Sequence, residues 1–214
     1  MKIILIGPPG VGKGTQGTLL SSKINIPVIS TGQVIRDAIR NESDNSKGLK
    51  SIVTRGDLIP DDLMVEILDQ RIIKDDCENG YILDGFPRTI SQAETLQSRG
   101  INIDYVIEFK LNDDDIVERL SGRLYHPGSG RVYHKAFNPP QKPGIDDVSG
   151  EALIIRSDDQ PESIIKRLQL FKKETSPLID FYQSQMIEKK LKYVSLDASQ
   201  SVDQIQDSLL KAIL

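Results

Sequence analysis

The chain has 214 residues, of which 38% are apolar and 27% charged, with a net charge of −4. That suits one large soluble domain with room for a small insertion, and it argues against nucleic acid as a partner, because an acidic chain offers no broad basic face. The single cysteine, Cys77, excludes an internal disulfide and a thiolate zinc cluster and fits a reducing compartment.

The first segment, "KIILIG", is a short apolar run closed by glycine, which predicts a buried parallel strand. It is far too short to cross a bilayer and no signal-peptide pattern precedes it, so a cytoplasmic protein with no membrane partner is expected. Leu19, Leu20 and Ile24 fall at helical spacing and predict a helix from Lys13 to Ile24. "IPVIS" is a second short strand, and Ser30 or Thr31 is placed to cap a helix from Gly32 to Arg40. The polar stretch "NESDNSKG" breaks the pattern, which resumes through Leu49, Ile52 and Val53. After "GDLIPDD", Asp61 or Asp62 is expected to cap a helix reaching about Lys74. Cys77, in the polar run "KDDCENG", reads as incidental rather than reactive. "GYILDGF" is a third strand, "SQAETLQSRG" a helix ended by Gly100, and "DYVIEFKL" a fourth strand. A helix opens in "NDDDIVERL", a last strand lies near "KYVSL", and a final helix runs from Val202 to Leu214. Strands alternating with helices predict an α/β fold with a parallel sheet.

From Gly122 to Asp159 the helical period vanishes. "RLYHPGSGRVYH" reads as two short strands around a Pro-Gly-Ser-Gly turn, and "FNPPQKPG" as a rigid turn. This segment is a small β insertion between two helices of the main domain.

"GPPGVGKGT", residues 7–15, fits the phosphate-loop pattern G-x-x-x-x-G-K-S/T at Gly7, Gly12 and Lys13. Gly14 then stands where the metal-binding hydroxyl belongs, and Thr15 comes one place late. A glycine-rich turn between an apolar strand and a helix aims backbone N–H groups and the positive helix end at an anion. With no hydroxyl at position 14, Mg²⁺ is expected to be held by nucleotide oxygens and water, which it retains readily. Asp84, at the end of the strand in "YILDGFPRT", is the candidate carboxylate to fix those waters, since ligands sit at strand C-termini in such sheets.

"GPPGVGKGT" together with "DGFPRT" resembles the adenylate kinases. The likeness continues through "STGQVIR" at 30–36, where Gln33 replaces the usual acid, and through "GDLIPD" at 56–61. It extends to "SGRLYHPGSGRVYH" at 121–134 and "RSDDQPESIIKRL" at 156–168, and so covers nearly the whole chain. The resemblance implies a P-loop nucleoside monophosphate kinase fold, with a parallel five-stranded sheet flanked by helices and a small β lid. Residues 1–29, 60–121 and 160–214 would form the core, 30–59 an AMP-binding flap and 122–159 the lid over ATP. The implied reaction is ATP + AMP ⇌ 2 ADP with Mg²⁺, by a protein that works as a monomer. ATP would be held by Gly10, Val11, Gly12, Lys13, Gly14 and Thr15, by Arg119 and Gln200 at the adenine, and by Arg123, Val132 and Tyr133. AMP would be held by Thr31, Arg36, Asp57, Leu58, Ile59, Gly85, Phe86, Pro87, Arg88, Gln92, Arg156 and Arg167. Lys13, Asp84, Arg88, Arg123, Arg156 and Arg167 would carry the chemistry. Phosphoryl transfer to a phosphate oxyanion needs no general base, only positioning and charge neutralisation, which suits bidentate arginines. Of the eleven arginines, Arg40, Arg71 and Arg99 are read as solvated surface residues.

Long-lid relatives carry four zinc ligands as C-x-x-C, sixteen residues, then C-x-x-C/D. The same spacing here falls on His126, Ser129, Asp146 and Ser149. Serine hydroxyls are poor zinc ligands, so no structural zinc is expected; the four should converge as a hydrogen-bonded network, with a direct His126–Asp146 bond. A UMP or CMP kinase is the alternative reading, and a regulatory P-loop nucleotide switch a more distant one; the guanine-reading N-K-x-D motif is absent.

Overall fold

In the computed structural model, residues 1–40, 46–55, 57–187 and 191–214 are described, with side chains for all of these but 37–40, 46–49 and 187. Strand β1 (Lys2–Ile6) lies at the centre of a five-stranded parallel sheet. Its neighbours are β3 (Tyr81–Asp84) on one side and β4 (Tyr105–Lys110) on the other. Strand β2 (Val28–Ser30) extends the sheet beyond β3, and β7 (Lys192–Asp197) extends it beyond β4. The sheet is buried on both faces, which is why its central strands read as continuous apolar runs. Ile4, Ile6, Leu83 and Val106 pack into one core, while Ile3, Leu5, Ile82 and Ile107 pack into the other. Ile3 and Ile4 are wholly buried. Burying one such side chain contributes about 1.5–3 kcal/mol, so both faces of β1 anchor the fold.

Helix α1 (Lys13–Ile24) and α9 (Val202–Ile213) cover one face. The other is covered by α2 (Thr31–Arg40), α4 (Asp61–Ile72), α5 (Ile90–Ser98) and α8 (Pro177–Ile187). Helix α3 (Ser46–Thr54) follows α2, and α6 (Asp113–Ser121) packs on α7 (Pro161–Leu170). Between α6 and α7 stands the insertion, a two-stranded antiparallel hairpin of β5 (Arg123–Tyr125) and β6 (Val132–His134). The strand order reverses around β1, so the loops after β1 and β3 open at a switch point, where ligands bind in such sheets.

Ser30 stands immediately before α2, where a cap is expected, but the capping alternatives at Thr31 and Asp61 are corrected. Thr31 is the first residue of α2, and its hydroxyl donates to the Gly85 carbonyl at 3.1 Å instead of capping the helix. Asp61 is likewise the first residue of α4, which ends at Ile72; its carboxylate accepts from Gln92 Nε2 at 2.6 Å and from Thr89 at 3.2 Å. Most of the polar stretch "NESDNSKG" and Gly56 lie outside the described residues, as does the Arg40 side chain. Arg99 pairs with Asp69 on the surface, but Arg71 is not free in solvent: it forks onto Asp76 and reaches Cys77 Sγ at 3.0 Å. Burial pushes the Cys77 thiol up, in line with an incidental cysteine.

Candidate active site

The loop after β1 turns into α1 through Gly12, whose φ of 103° is left-handed and whose missing Cβ would face open space. Lys13 folds back over the loop and donates to the carbonyls of Gly7 at 2.7 Å and Pro8 at 2.8 Å. Burial lowers its pKa to about 8, with Arg88, Arg167 and Arg123 adding to the effect and Asp84 opposing it. Gly14 and Thr15 lie exposed at the mouth of the loop.

The loop after β3 meets it. At Gly85, φ is 85° and an added Cβ would stand 2.8 Å from Thr31 Oγ1 and 3.0 Å from Arg88 Nη2, so only glycine fits. Arg88 donates from Nε to the Gly85 carbonyl at 2.8 Å and from its backbone to Gln92 Oε1 at 2.7 Å. Thr175 donates to the Arg88 carbonyl at 2.9 Å from a single π-helical turn, Phe171–Thr175, between α7 and α8. Such wide turns occur often at functional sites.

Beyond these loops opens a cleft whose wall carries Arg36, Arg88, Arg156 and Arg167. All the residues assigned to AMP by resemblance line it, except Phe86 and Pro87. Phe86 is buried in the core and is followed by a cis Phe86–Pro87 peptide. Gln92 is in the cleft wall, but its amide already binds Asp61 and the Arg88 backbone. One of its N–H bonds and one acceptor lone pair are left for a ligand. Arg36 Nε is buried with no hydrogen-bond partner among the described residues, an orphan donor in the wall of this cleft.

Lys13, Arg36, Arg88, Arg123, Arg156 and Arg167 thus gather around Asp84, Asp158 and Asp159, a local excess of positive charge in an acidic chain. Sequence reasoning missed Asp158 and Asp159, which hold the arginines in place. Arg123 grips Asp159 through two bonds, at 2.7 and 2.5 Å. Arg156 forks onto Asp158, with Nε at 2.8 Å from Oδ1, and Arg167 reaches the Asp158 carbonyl at 2.9 Å. Burial works against the Asp158 carboxylate, but Arg156 and Arg167 outweigh it and hold its pKa well below the ordinary range. Burial lowers Arg88, and lowers Arg167 to about 10, so an incoming anion would offset the cost of keeping both charges out of water.

Arg119 donates to the Ala198 carbonyl at 2.9 Å and lies 3.5 Å from that of Val11, joining the phosphate loop to the turn that carries exposed Gln200. Val132 is 45% exposed, whereas the Tyr133 ring turns into the insertion. There its hydroxyl donates to Asp146 at 3.0 Å, so only its backbone is available to the outer face.

His126, Ser129, Asp146 and Ser149 meet at one place in the insertion. His126 Nδ1 lies 2.8 Å from Ser129 Oγ, and Ser149 Oγ donates to Asp146 Oδ2 at 2.8 Å and lies 3.2 Å from His126 Nε2. The direct His126–Asp146 bond does not form; the closest approach is 4.0 Å. Two residues absent from the expectation explain this. Arg131 forks onto Asp146 at 2.8 and 2.5 Å and holds its carboxyl far below the ordinary range. Glu151 takes His126 Nε2 at 2.6 Å. The Ser129 backbone N–H donates to Nδ1 at 3.2 Å, which assigns the ring proton to Nε2.

These features agree with what the chain is similar to. The family model described as "Adenylate kinase" matches residues 5–187. A protein named adenylate kinase from Francisella philomiragia subsp. philomiragia is 46% identical over 215 residues, covering 100% of this chain and 100% of its own. On the matched family model and a full-length relative at that identity, the chain belongs to the adenylate kinase family.

Proposed function

We propose that the protein catalyses the reversible, Mg²⁺-dependent transfer ATP + AMP ⇌ 2 ADP. The observation that carries this reading is the convergence of Lys13 and five arginines between the phosphate loop and the cleft. Lys13, Arg88, Arg123, Arg156 and Arg167 are each held by a carboxylate or a backbone carbonyl, and Arg36 by the Gln33 amide, before any ligand arrives, so little reorganisation is needed during transfer. ATP lies along residues 10–15 with its adenine near Arg119 and Gln200, and AMP occupies the cleft with its phosphate toward Arg36, Arg88, Arg156 and Arg167. The acceptor is already an oxyanion, so the arginines align it in line with the γ-phosphoryl group and spread the developing charge.

Mg²⁺ would neutralise the donor phosphates. Gly14 offers it no ligand, while Asp84 stands close beside Gly14, a position suited to hold metal-bound waters. Zinc is not needed in this reading. The Asp146 carboxylate is already taken by Arg131, Tyr133 and Ser149, and the polar network pins two loops of an insertion too small for its own core. Residues 30–59 act as the AMP flap and 122–159 as the lid, which excludes water while the activated phosphoryl group is present. Family likeness also supports a monomer working in the cytoplasm.

The test is an acceptor series. Purified protein with ATP and Mg²⁺ should phosphorylate AMP far faster than UMP, CMP or GMP. Equal or greater rates with UMP or CMP would assign it to the pyrimidine-monophosphate kinases instead.

A further inference from the structure

Tyr125 is assigned no role in the reaction above, yet its side chain is among the most buried in the insertion. Its backbone is fixed on both sides: it pairs with Val132 across the hairpin and exchanges bonds of 2.8 and 2.9 Å with Ile154. The ring lies near two arginines of the cleft wall. Arg36 Cζ lies 5.5 Å from the ring centroid and Arg156 Cζ 5.6 Å. The hydroxyl donates to Gln33 Oε1 at 2.9 Å, and the same oxygen accepts from Arg36 Nη2 at 3.1 Å. The hairpin turn also reaches Gln33: a Cβ added to Gly130 would stand 3.4 Å from Gln33 Oε1.

Two guanidiniums in the wall of one cleft repel each other. An aromatic ring close to both offsets part of that repulsion through its quadrupole and helps to hold both in place. The hydroxyl adds a neutral link from the insertion to α2, at the position where Gln33 stands in place of the family's usual acid.

We infer that Tyr125, with Gln33, is a positioning residue that sets Arg36 and Arg156 for the acceptor phosphate, so that AMP binds tightly only when the insertion is seated on α2. This rests on the kinase reading above. It assigns the insertion, the proposed cover for ATP, a direct part in holding the other substrate.

The experiment compares Tyr125→Phe, which keeps the ring and loses the link to Gln33, with Tyr125→Leu, which loses both. Circular dichroism and thermal unfolding first confirm that each variant is folded; Phe fills the same space, so at least one is usable. Steady-state kinetics then separate the substrates. Tyr125→Leu should raise KM for AMP about tenfold, Tyr125→Phe by a few-fold, and KM for ATP should stay within about twofold in both. Calorimetry of AMP binding with and without a non-hydrolysable ATP analogue gives the second readout. The analogue should tighten AMP in the parent protein, and that gain should shrink in Tyr125→Phe. An unchanged KM for AMP in both variants overturns the proposal, as does a parallel rise in both KM values, which would mean only that the insertion is damaged. A parent protein that makes no ADP from ATP and AMP sinks the kinase reading and this proposal together. An active parent with unaltered variants sinks this proposal alone.

Discussion

The Asp84 carboxylate lies 3.5 Å from the point where a Cβ on Gly14 would stand. Gly14, which stands where the loop pattern places a hydroxyl, thus leaves this carboxylate open to the mouth of the loop. Asp84→Asn keeps the shape and removes the charge. It should lower kcat by about 10–100-fold, the usual effect of losing a group that orients a metal's ligands. It should also shift the Mg²⁺ optimum upward and leave KM for AMP nearly unchanged. Wild-type turnover with an unmoved Mg²⁺ optimum would place the metal's support elsewhere.

Lys13→Met removes the only cation of the loop. Turnover should fall by at least about 10²–10³-fold, as when a single transition-state donor is lost. The fold should survive. The folded pKa of about 8 lies below the ordinary 10.5, so the buried charge weighs on stability below pH 8 and the burden disappears as pH rises toward 10.5. The variant should therefore gain stability over the parent at pH 7, and the difference should close in alkaline solution. Denaturant titrations at pH 7 and 10.5 measure it; a variant less stable than the parent at pH 7 contradicts the assignment.

Asp158→Asn tests the frame that holds the arginines. The carboxyl is depressed in the folded state, so its contribution is present above its unfolded value near 3.8 and is lost as pH falls below that. The variant should be less stable than the parent at pH 7, with the gap narrowing in acid below about pH 4. A gap that stays constant down to pH 2 would show that packing, not charge, is what the substitution removes.

Asp146→Ala should loosen the insertion while the sheet stays folded. Amide exchange at residues 122–159 should accelerate, and exchange in β1, β3 and β4 should not. Elemental analysis of protein purified without chelator should find no zinc; one zinc per chain, lost only with loss of stability, would replace the polar network with a metal site.

Where the sequence was informative, the reason is local. Helix α1 ends where read, because Gly12 and Asn25 adopt left-handed conformations at its two ends. The arginines could be named because each sits inside a motif. Their partners could not: Asp158 and Asp159 in "RSDDQ" become meaningful only when folding brings Arg123 and Arg167 to them from distant elements. Arg131 and Glu151 escaped for the same reason, as they flank the four spaced positions without belonging to the pattern. Helix α8 was hidden behind Pro177, which reads as a breaker unless taken as a first helical residue, and behind the π turn that precedes it. Tyr125 gave no signal at all; its ring acquires a role from two arginines on other elements.

The most direct test of the central claim uses one nucleotide. Purified protein incubated with ADP and Mg²⁺ alone should produce ATP and AMP in equal amounts, and should stop doing so when Mg²⁺ is chelated. Only an enzyme with a donor and an acceptor site can do this, since one ADP must give up the phosphoryl group that the other receives. ADP that stays unchanged, from a protein that slowly releases phosphate from ATP, would contradict the account and identify a nucleotide switch instead.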